Sequence, residues 1–207
     1  AKDLRMASGV PPLHPAHNPL YTEFQKLLPE YSDGKLSGQL LGTEVTTVAN
    51  MRASILSGLV EVGLFLPAYF PADLPNFNLV GDLSMMGSAN PQATAAAMTE
   101  YILTCTDCQN EFKKLGLIYT NSHANPYSIL ATKPIIKPED MNGIRLRTAS
   151  PQHARWVEAM GGTAVSMPTG EAFEAISQRV VDGTVTSVSD VISFNLGDVI
   201  THITLLD

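Results

Sequence analysis

The stretch Pro138–Gly183, PEDMNGIRLRTASPQHARWVEAMGGTAVSMPTGEAFEAISQRVVDG, decides the fold. Within it, Gly143–Arg147 predicts a short strand, with apolar Ile144 and Leu146 on one face and Arg145 and Arg147 on the other. Thr148 and Ala149 lead into Ser150-Pro151. Serine as N-cap with proline at the first helical position is a helix-start signal. The spacing predicts a helix over 151–160, with Ala154, Val157 and Met160 inward, ending at Gly161-Gly162. Thr163–Met167 predicts a second strand. Pro168 and Thr169 open a second helix, whose apolar stripe is Ala172, Phe173, Ile176 and Val180 and which runs to Asp182-Gly183. Thr184–Val188 predicts a third strand. Strand–helix–strand–helix–strand is the unit of an open parallel sheet.

Such sheets bind ligands at the carboxyl ends of their strands, beside helix N-termini. A guanidinium at that edge presents a planar fork to a carboxylate, and the helix N-terminus adds partial positive charge. The bland alternative is a surface ion pair. Parity does not choose between Arg145 and Arg147; nearness to the strand end favours Arg147.

Outward from this stretch the pattern recurs. Leu4–Ser8 predicts a strand, Gly9–Pro15 a loop carrying His14, and residues 16–28 a helix with Leu20, Phe24, Leu27 and Leu28 on one face, broken by Pro29 and Ser32-Asp33-Gly34. Lys35–Leu41 predicts a strand, Thr43–Ser57 a helix capped by Gly58, and Val60–Leu66 a buried strand. The order of 143–188 therefore repeats in 4–66, without sequence repetition, and suggests two similar lobes with a ligand cleft between them. Residues 67–90 read as loop, 91–114 as one long helix, Leu117–Thr120 as a strand, Asn121–Pro126 as a polar loop and Tyr127–Thr132 as a strand. Residues 1–122 are expected to form the first lobe and 123–207 the second. Residues 189–199 are weakly helical. Thr201–Leu206 begins a strand where the chain stops, so a truncated chain is expected, its first lobe incomplete without a returning segment.

The 207 residues suit one large domain or two small ones, and 44% hydrophobic with 16% charged residues describes a globular protein. A net charge of −7 argues against nucleic acid. No apolar run approaches the ~20 residues of a membrane span, and no signal peptide is visible. Cys105-Thr-Asp-Cys108 lies inside the long helical pattern rather than after a strand, and has no second Cys or His pair for zinc. A structural disulfide and two reduced thiols both fit it. No nucleophile motif, phosphate loop, cofactor fingerprint or metal cluster is visible, and the five histidines lack HExxH-like spacing. No enzyme, cofactor or metal is therefore expected.

The chain resembles the extracytoplasmic solute-binding proteins of TRAP transporters, the DctP type, over essentially its whole length. Gly38-Gln39-Leu40 with Gly42 is similar to the family's Q-L-G segment, and Gly58 to Glu61 to its G-x-x-D turn, with glutamate for aspartate. Lys133-Pro134-Ile135 and Pro138-Glu139-Asp140-Met141 resemble K-P-I and P-E-D-L. Gly143–Arg147 resembles G-x-K-x-R, and Gly162, Met167-Pro168, Glu171 and Val181-Asp182-Gly183 complete the pattern. The order and spacing of these segments are more specific than any one of them.

The resemblance implies a two-lobed α/β periplasmic-binding fold, each lobe a mostly parallel sheet flanked by helices, and a chain normally about half as long again. It implies a periplasmic receptor, its signal peptide removed, that passes a small carboxylate to the membrane permease subunits of a transporter. The family's characteristic arginine falls on Arg147. Departures bear on the ligand. Tyr127 stands where sialic-acid-type members carry a second arginine, Thr169 where an aromatic precedes the E-x-x-x-A helix, and Thr186 where an asparagine often touches substrate. One carboxylate anchor with fewer polar partners suggests a monocarboxylate. Tyr127, Thr169, Thr186, Tyr69 and His14 are candidate ligand contacts beside Arg147, each against an ordinary packing, capping or loop role. Trp156 suits packing better and Glu171 a helix-start carboxylate. A regulator's ligand-sensing domain and an α/β enzyme on the same fold are the alternatives.

Overall fold

The structure, a computed structural model, describes residues 2–83, 90–124 and 126–206. Contacts divide the chain into two compact units, Ala1–Leu66 and Pro67–Asp207.

In the first unit β1 (Lys2–Ala7), β2 (Leu36–Leu41) and β3 (Val62–Gly63) form a parallel sheet in the order β2-β1-β3. Its helices are α1 (Thr22–Tyr31) and α2 (Met51–Leu56). Ala7, Met51 and Val60 are fully buried, with Leu41 and Ile55 against them. Glu61 accepts from the backbone N–H of Arg5 and from its Nε and Nη2. These bonds fasten the residue before β3 to β1, and the Arg5 side chain holds the Glu61 carboxyl down at about 2.

Several elements here are shorter than their sequence predicts. The expected helix 43–57 begins only at Met51; the Val48 N–H is given to Gly9 O at 3.0 Å rather than to a helical carbonyl. The expected strand 60–66 pairs at two residues, since β1 offers it only Met6 and Ala7 before leaving the sheet. Helix α1 starts after an irregular turn at Ala16–Tyr21 and runs through Pro29. Its apolar stripe is not covered: Leu20, Phe24 and Leu27 stay about two-fifths exposed.

The second unit holds a five-stranded sheet in the order β6-β5-β7-β4-β8. The strands are β4 (Tyr127–Ala131), β5 (Arg145–Thr148), β6 (Thr163–Ser166), β7 (Gly183–Ser187) and β8 (His202–Leu205). β4 runs against both its neighbours, so the other four strands point one way. Alternation along β4 sorts side chains to two faces. Ile129 and Ala131 join Leu146, Val185 and Val157 of α6 (Pro151–Ala159). Leu130, between them, joins Ala172, Ala175 and Ile176 of α7 (Ala172–Ser177), with Leu196 and Ile200. Trp156 packs on the first of these clusters, as expected. A Cβ on Gly183 would collide with Leu130 O and Ala131 Cα, so glycine is what lets β7 lie this close to β4.

Helix α7 ends at Ser177, not at residue 182. Arg179 adopts a left-handed φ of 57° and Val180 is exposed. The segment expected to be loop contains α3 (Pro75–Leu83); residues 84–89 of that expectation lie outside those described. The expected single helix 91–114 is two, α4 (Pro91–Thr104) and α5 (Thr106–Lys114), broken at Cys105, which has extended dihedrals. Cys105 and Cys108 form a disulfide. Side chains three apart on a helix stand ~5–6 Å apart at Cβ, whereas a disulfide brings Cβ atoms to ~3.5–4.5 Å, so the bridged pair departs from an unbroken helix. Residues 117–120 form no strand; Tyr119 instead packs its ring on Phe77 and Phe112 at 6.0 and 5.3 Å. Buried Glu111 of α5 accepts from the backbone N–H groups of Asn76 and Phe77, capping the start of α3 from a distance in sequence. The short helix α8 (Asp190–Ser193) follows β7, and the expected strand over 201–206 is β8.

Candidate functional site

Strand β5 carries two arginines with opposite fates. Arg145, at its start, donates from its backbone N–H, Nε and Nη2 to Asp182 at 2.9, 3.1 and 3.2 Å, and its side chain stays 42% exposed. That carboxylate satisfies it. Arg147 is 0% exposed. Its Nε donates to Met167 O at 2.8 Å, and its Nη2 to Thr169 Oγ1 at 2.9 Å and Tyr69 Oη at 3.3 Å. None of these partners is a carboxylate, and Nη1 has no hydrogen-bond partner among the described residues. Burial weakens its hold on the proton, partly offset by Tyr69, Asp190 and Tyr127. Even so, a guanidinium remains charged in proteins. A buried cation without a bonded anion carries a desolvation cost of several kcal/mol that an incoming carboxylate can offset.

The anchoring hydroxyls are themselves organised. Tyr69 Oη accepts from Thr169 N at 3.1 Å and from Arg147, which leaves its proton for Thr169 Oγ1 at 3.1 Å. Thr169 Oγ1 thus accepts twice and keeps one proton to give. Thr169 opens the turn before α7, and Tyr69 ends a short helical turn at Pro67–Tyr69.

Around Arg147 lie further polar groups. Thr184 is its register neighbour on β7. Thr186, two residues on, donates to Asp190, and both are buried. Tyr127 sits opposite Ser187 at the same edge, because the reversed β4 begins where β7 ends. Its ring meets the ring of His153 edge-on at 4.6 Å. His153 is buried in the first turn of α6, where its N–H is received by the Ser150 cap. Burial first, and the Arg147 charge second, lower its basicity to about 4, so the imidazole is neutral at pH 7.

Of the expected contacts, Arg147, Tyr69 and Thr169 are bonded together, and Tyr127 and Thr186 lie at the same edge of the sheet. His14 belongs to the first unit. Its place in a loop suggests a solvent-facing side chain, but it is 7% exposed, and its Nδ1 accepts from Ala16 N. His153 and Asp190 were not singled out from sequence. Their signals were position alone: the third residue of the helix after the Arg147 strand, and four residues beyond Thr186. A hollow lined by Lys133, Arg145, Arg179 and Asp182 lies at the opposite strand ends, away from this cluster. Among the described residues no group of His, Cys, Asp or Glu is placed to hold a metal ion, and no helix is long and apolar enough to cross a membrane.

The profile of the DctP family, bacterial extracellular solute-binding protein family 7, matches residues 6–206. The chain belongs to this family. A solute-binding protein of Albidiferax ferrireducens is 33% identical to this family 7 chain over 67 residues, 32% of the chain and 20% of the relative. Two solved structures share the fold. One is a marine metagenome TRAP solute-binding protein specific for aromatic acid ligands, in complex with 3-hydroxybenzoate. It has a TM-score of 0.81 at 21% identity, over 98% of this chain and 62% of that one. The other is a TRAP periplasmic solute-binding protein of Bordetella bronchiseptica with bound (R)- and (S)-mandelate. It has a TM-score of 0.82 at 21% identity, over 98% and 64%. The chain thus spans about three-fifths of the length of either solved protein. These likenesses establish the fold class, α/β with parallel-rich sheets of the periplasmic-binding-protein kind.

Proposed function

We propose that this family 7 protein is a periplasmic receptor that binds a small organic monocarboxylate on Arg147 and delivers it to the membrane permease of a TRAP-type transporter, without turning it over. The observation that carries the reading is the state of Arg147: fully buried, hydrogen-bonded only to neutral oxygens, and with Nη1 unpaired among the described residues. A carboxylate supplies the missing charge and can accept from Nη1. Thr169 offers its remaining proton beside it, and Tyr127, Thr186 and Tyr69 line the approach. His14 is a further proposed contact from the first unit, and the assignment of 1–122 to one lobe and 123–207 to the other belongs to the same proposal. The aromatic acid and mandelate complexes of the two solved relatives support a monocarboxylate with an apolar body. Asp190 near the guanidinium also disfavours a second carboxylate on that side.

Thermal unfolding against a panel of mono- and dicarboxylates tests this. A ligand at about 100 times its Kd stabilises the fold by roughly 2.7 kcal/mol. The expected result is a shift with monocarboxylates that disappears in Arg147→Ala. Stabilisation by dicarboxylates alone, or a shift that survives the substitution, overturns the reading.

A further inference from the structure

Beside Arg147 three buried side-chain atoms have no hydrogen-bond partner among the described residues: Thr148 Oγ1, Thr184 Oγ1 and His153 Nδ1. They are not scattered. Thr148 follows Arg147 in β5, Thr184 is its register neighbour in β7, and His153 enters from the helix that β5 feeds. Thr148 and Thr184 are 0% exposed and His153 is 3% exposed. A buried polar atom without a partner is unfavourable, and a cluster of them marks a place where something else completes the bonding. The Arg147 charge selects an anion for the site. A carboxylate only accepts, so it can receive the two threonine hydroxyls but bonds Nδ1 only in the tautomer that carries a proton there, whereas a group that both gives and takes matches Nδ1 in either tautomer.

We propose that His153 is a specificity-determining residue that pairs its imidazole with a hydroxyl group of the bound acid, making the preferred ligand a hydroxylated monocarboxylate. The inference rests on the carboxylate reading of Arg147 and deepens it. A hydroxyl both gives and takes a hydrogen bond, so it matches the imidazole in either tautomer. The Tyr127 ring, 4.6 Å from the His153 ring and edge-on to it, fixes the orientation of the imidazole from the other side. The Ser150 cap fixes the backbone that carries it. The depressed basicity of His153 keeps the ring neutral, so that one nitrogen remains an acceptor. An acid lacking the hydroxyl would leave Nδ1 unpaired.

The test is calorimetry on the full chain with matched acids that differ by one hydroxyl: benzoate against 3-hydroxybenzoate, phenylacetate against mandelate, and propionate against lactate. The expected result is a preference of about tenfold for the hydroxylated member of at least one pair, the value of one well-made bond. In His153→Phe that preference collapses towards unity, and in His153→Gln part of it returns. As a readout that needs no variant, imidazole 15N resonances of the wild-type protein should move with the hydroxylated acid of that pair and not with its partner. Equal affinities within every pair, a preference unchanged in His153→Phe, or nitrogen resonances that ignore the hydroxyl each overturn the assignment. If acids bind and Arg147→Ala abolishes that binding while any of these holds, the carboxylate reading stands and the His153 reading alone falls. If no acid binds to folded protein, both fall.

Discussion

The two ends of β5 make a controlled comparison. Arg145 and Arg147 lie two residues apart, on one face of one strand, in one chemical type. At the amino end the guanidinium is half in water and gives two hydrogen bonds to Asp182, with a third from the Arg145 backbone N–H. At the carboxyl end it is buried and its partners are neutral. What separates them is the polarity of the parallel strands. Loops leaving β5, β6 and β7 gather at one edge and bring Thr169 and Asp190 with them, and that edge is where Arg147 points its charge. An arginine's neighbours in sequence say little about its role; the end of the sheet it occupies says more.

This contrast can be broken most forcefully by substitution at the buried end. Arg147→Ala should cost about 2–5 kcal/mol of carboxylate binding, enough to remove it from calorimetric range for an ordinary ligand. Arg145→Ala should leave the dissociation constant within about twofold, since exposed ion pairs contribute little. Equal losses would erase the distinction between the two ends.

Acid should act on the two ends in sequence. His153 has a folded value of about 4, below its ordinary 6.5. The unfolded chain therefore takes up the proton first as pH falls, and stability is lost between about 6.5 and 4, on the order of 3 kcal/mol in all. Asp182 is lowered below the ordinary carboxylate range, chiefly by its hydrogen bond from the Arg145 side chain. Its contribution is present above the unfolded value and is lost only below pH 4. Urea midpoints measured from pH 8 to 3 should show the upper window vanish in His153→Phe and the lower one shrink in Asp182→Asn.

A smaller effect is expected at Gly183, where β7 meets β4 between the two ends. Gly183→Ala forces a methyl group against Leu130 O and Ala131, and should cost about 1–3 kcal/mol, read as a melting temperature lowered by several degrees. Smallest of all should be Asp182→Asn at neutral pH. Its change in melting temperature should be less than that of Gly183→Ala and should shrink as salt is added, because the pair it breaks faces solvent.

Much of the second unit was legible in sequence because its signals are local and agree with one another. Ser150-Pro151 starts α6 where a serine cap and a proline at the first helical position require it. The alternation of Ile144 and Leu146 with the arginines marks β5, and strand direction alone distinguishes Arg147 from Arg145. Legibility failed where the deciding interaction is distant. Nothing near residues 60–66 reveals that β1 offers them only two pairing residues. Nothing in the helical pattern 91–114 reveals the break that accompanies the Cys105–Cys108 bridge. The polar company of Arg147 was partly legible: Tyr69, Thr169, Tyr127 and Thr186 came from position and resemblance. His153 reads as an ordinary helix residue until the Tyr127 ring and the Arg147 charge are set beside it.

The reversed direction of β4 has a consequence for how such a site can change. In a wholly parallel sheet, the ligand edge receives side chains only from strand ends, each followed by a departing loop. Reversal delivers a strand beginning, Tyr127, to that same edge. Its register is held on one side by β7 and, from Ser128 onward, on the other by β8. The chain arriving before Tyr127 can therefore vary in length and sequence while the ring stays where it is, and position 127 can be exchanged without disturbing any departing loop. On the proposed reading of the site, the sheet thus offers two dials on one ligand: a charge fixed by the parallel strands, and a wall that can be retuned through the strand that runs the other way.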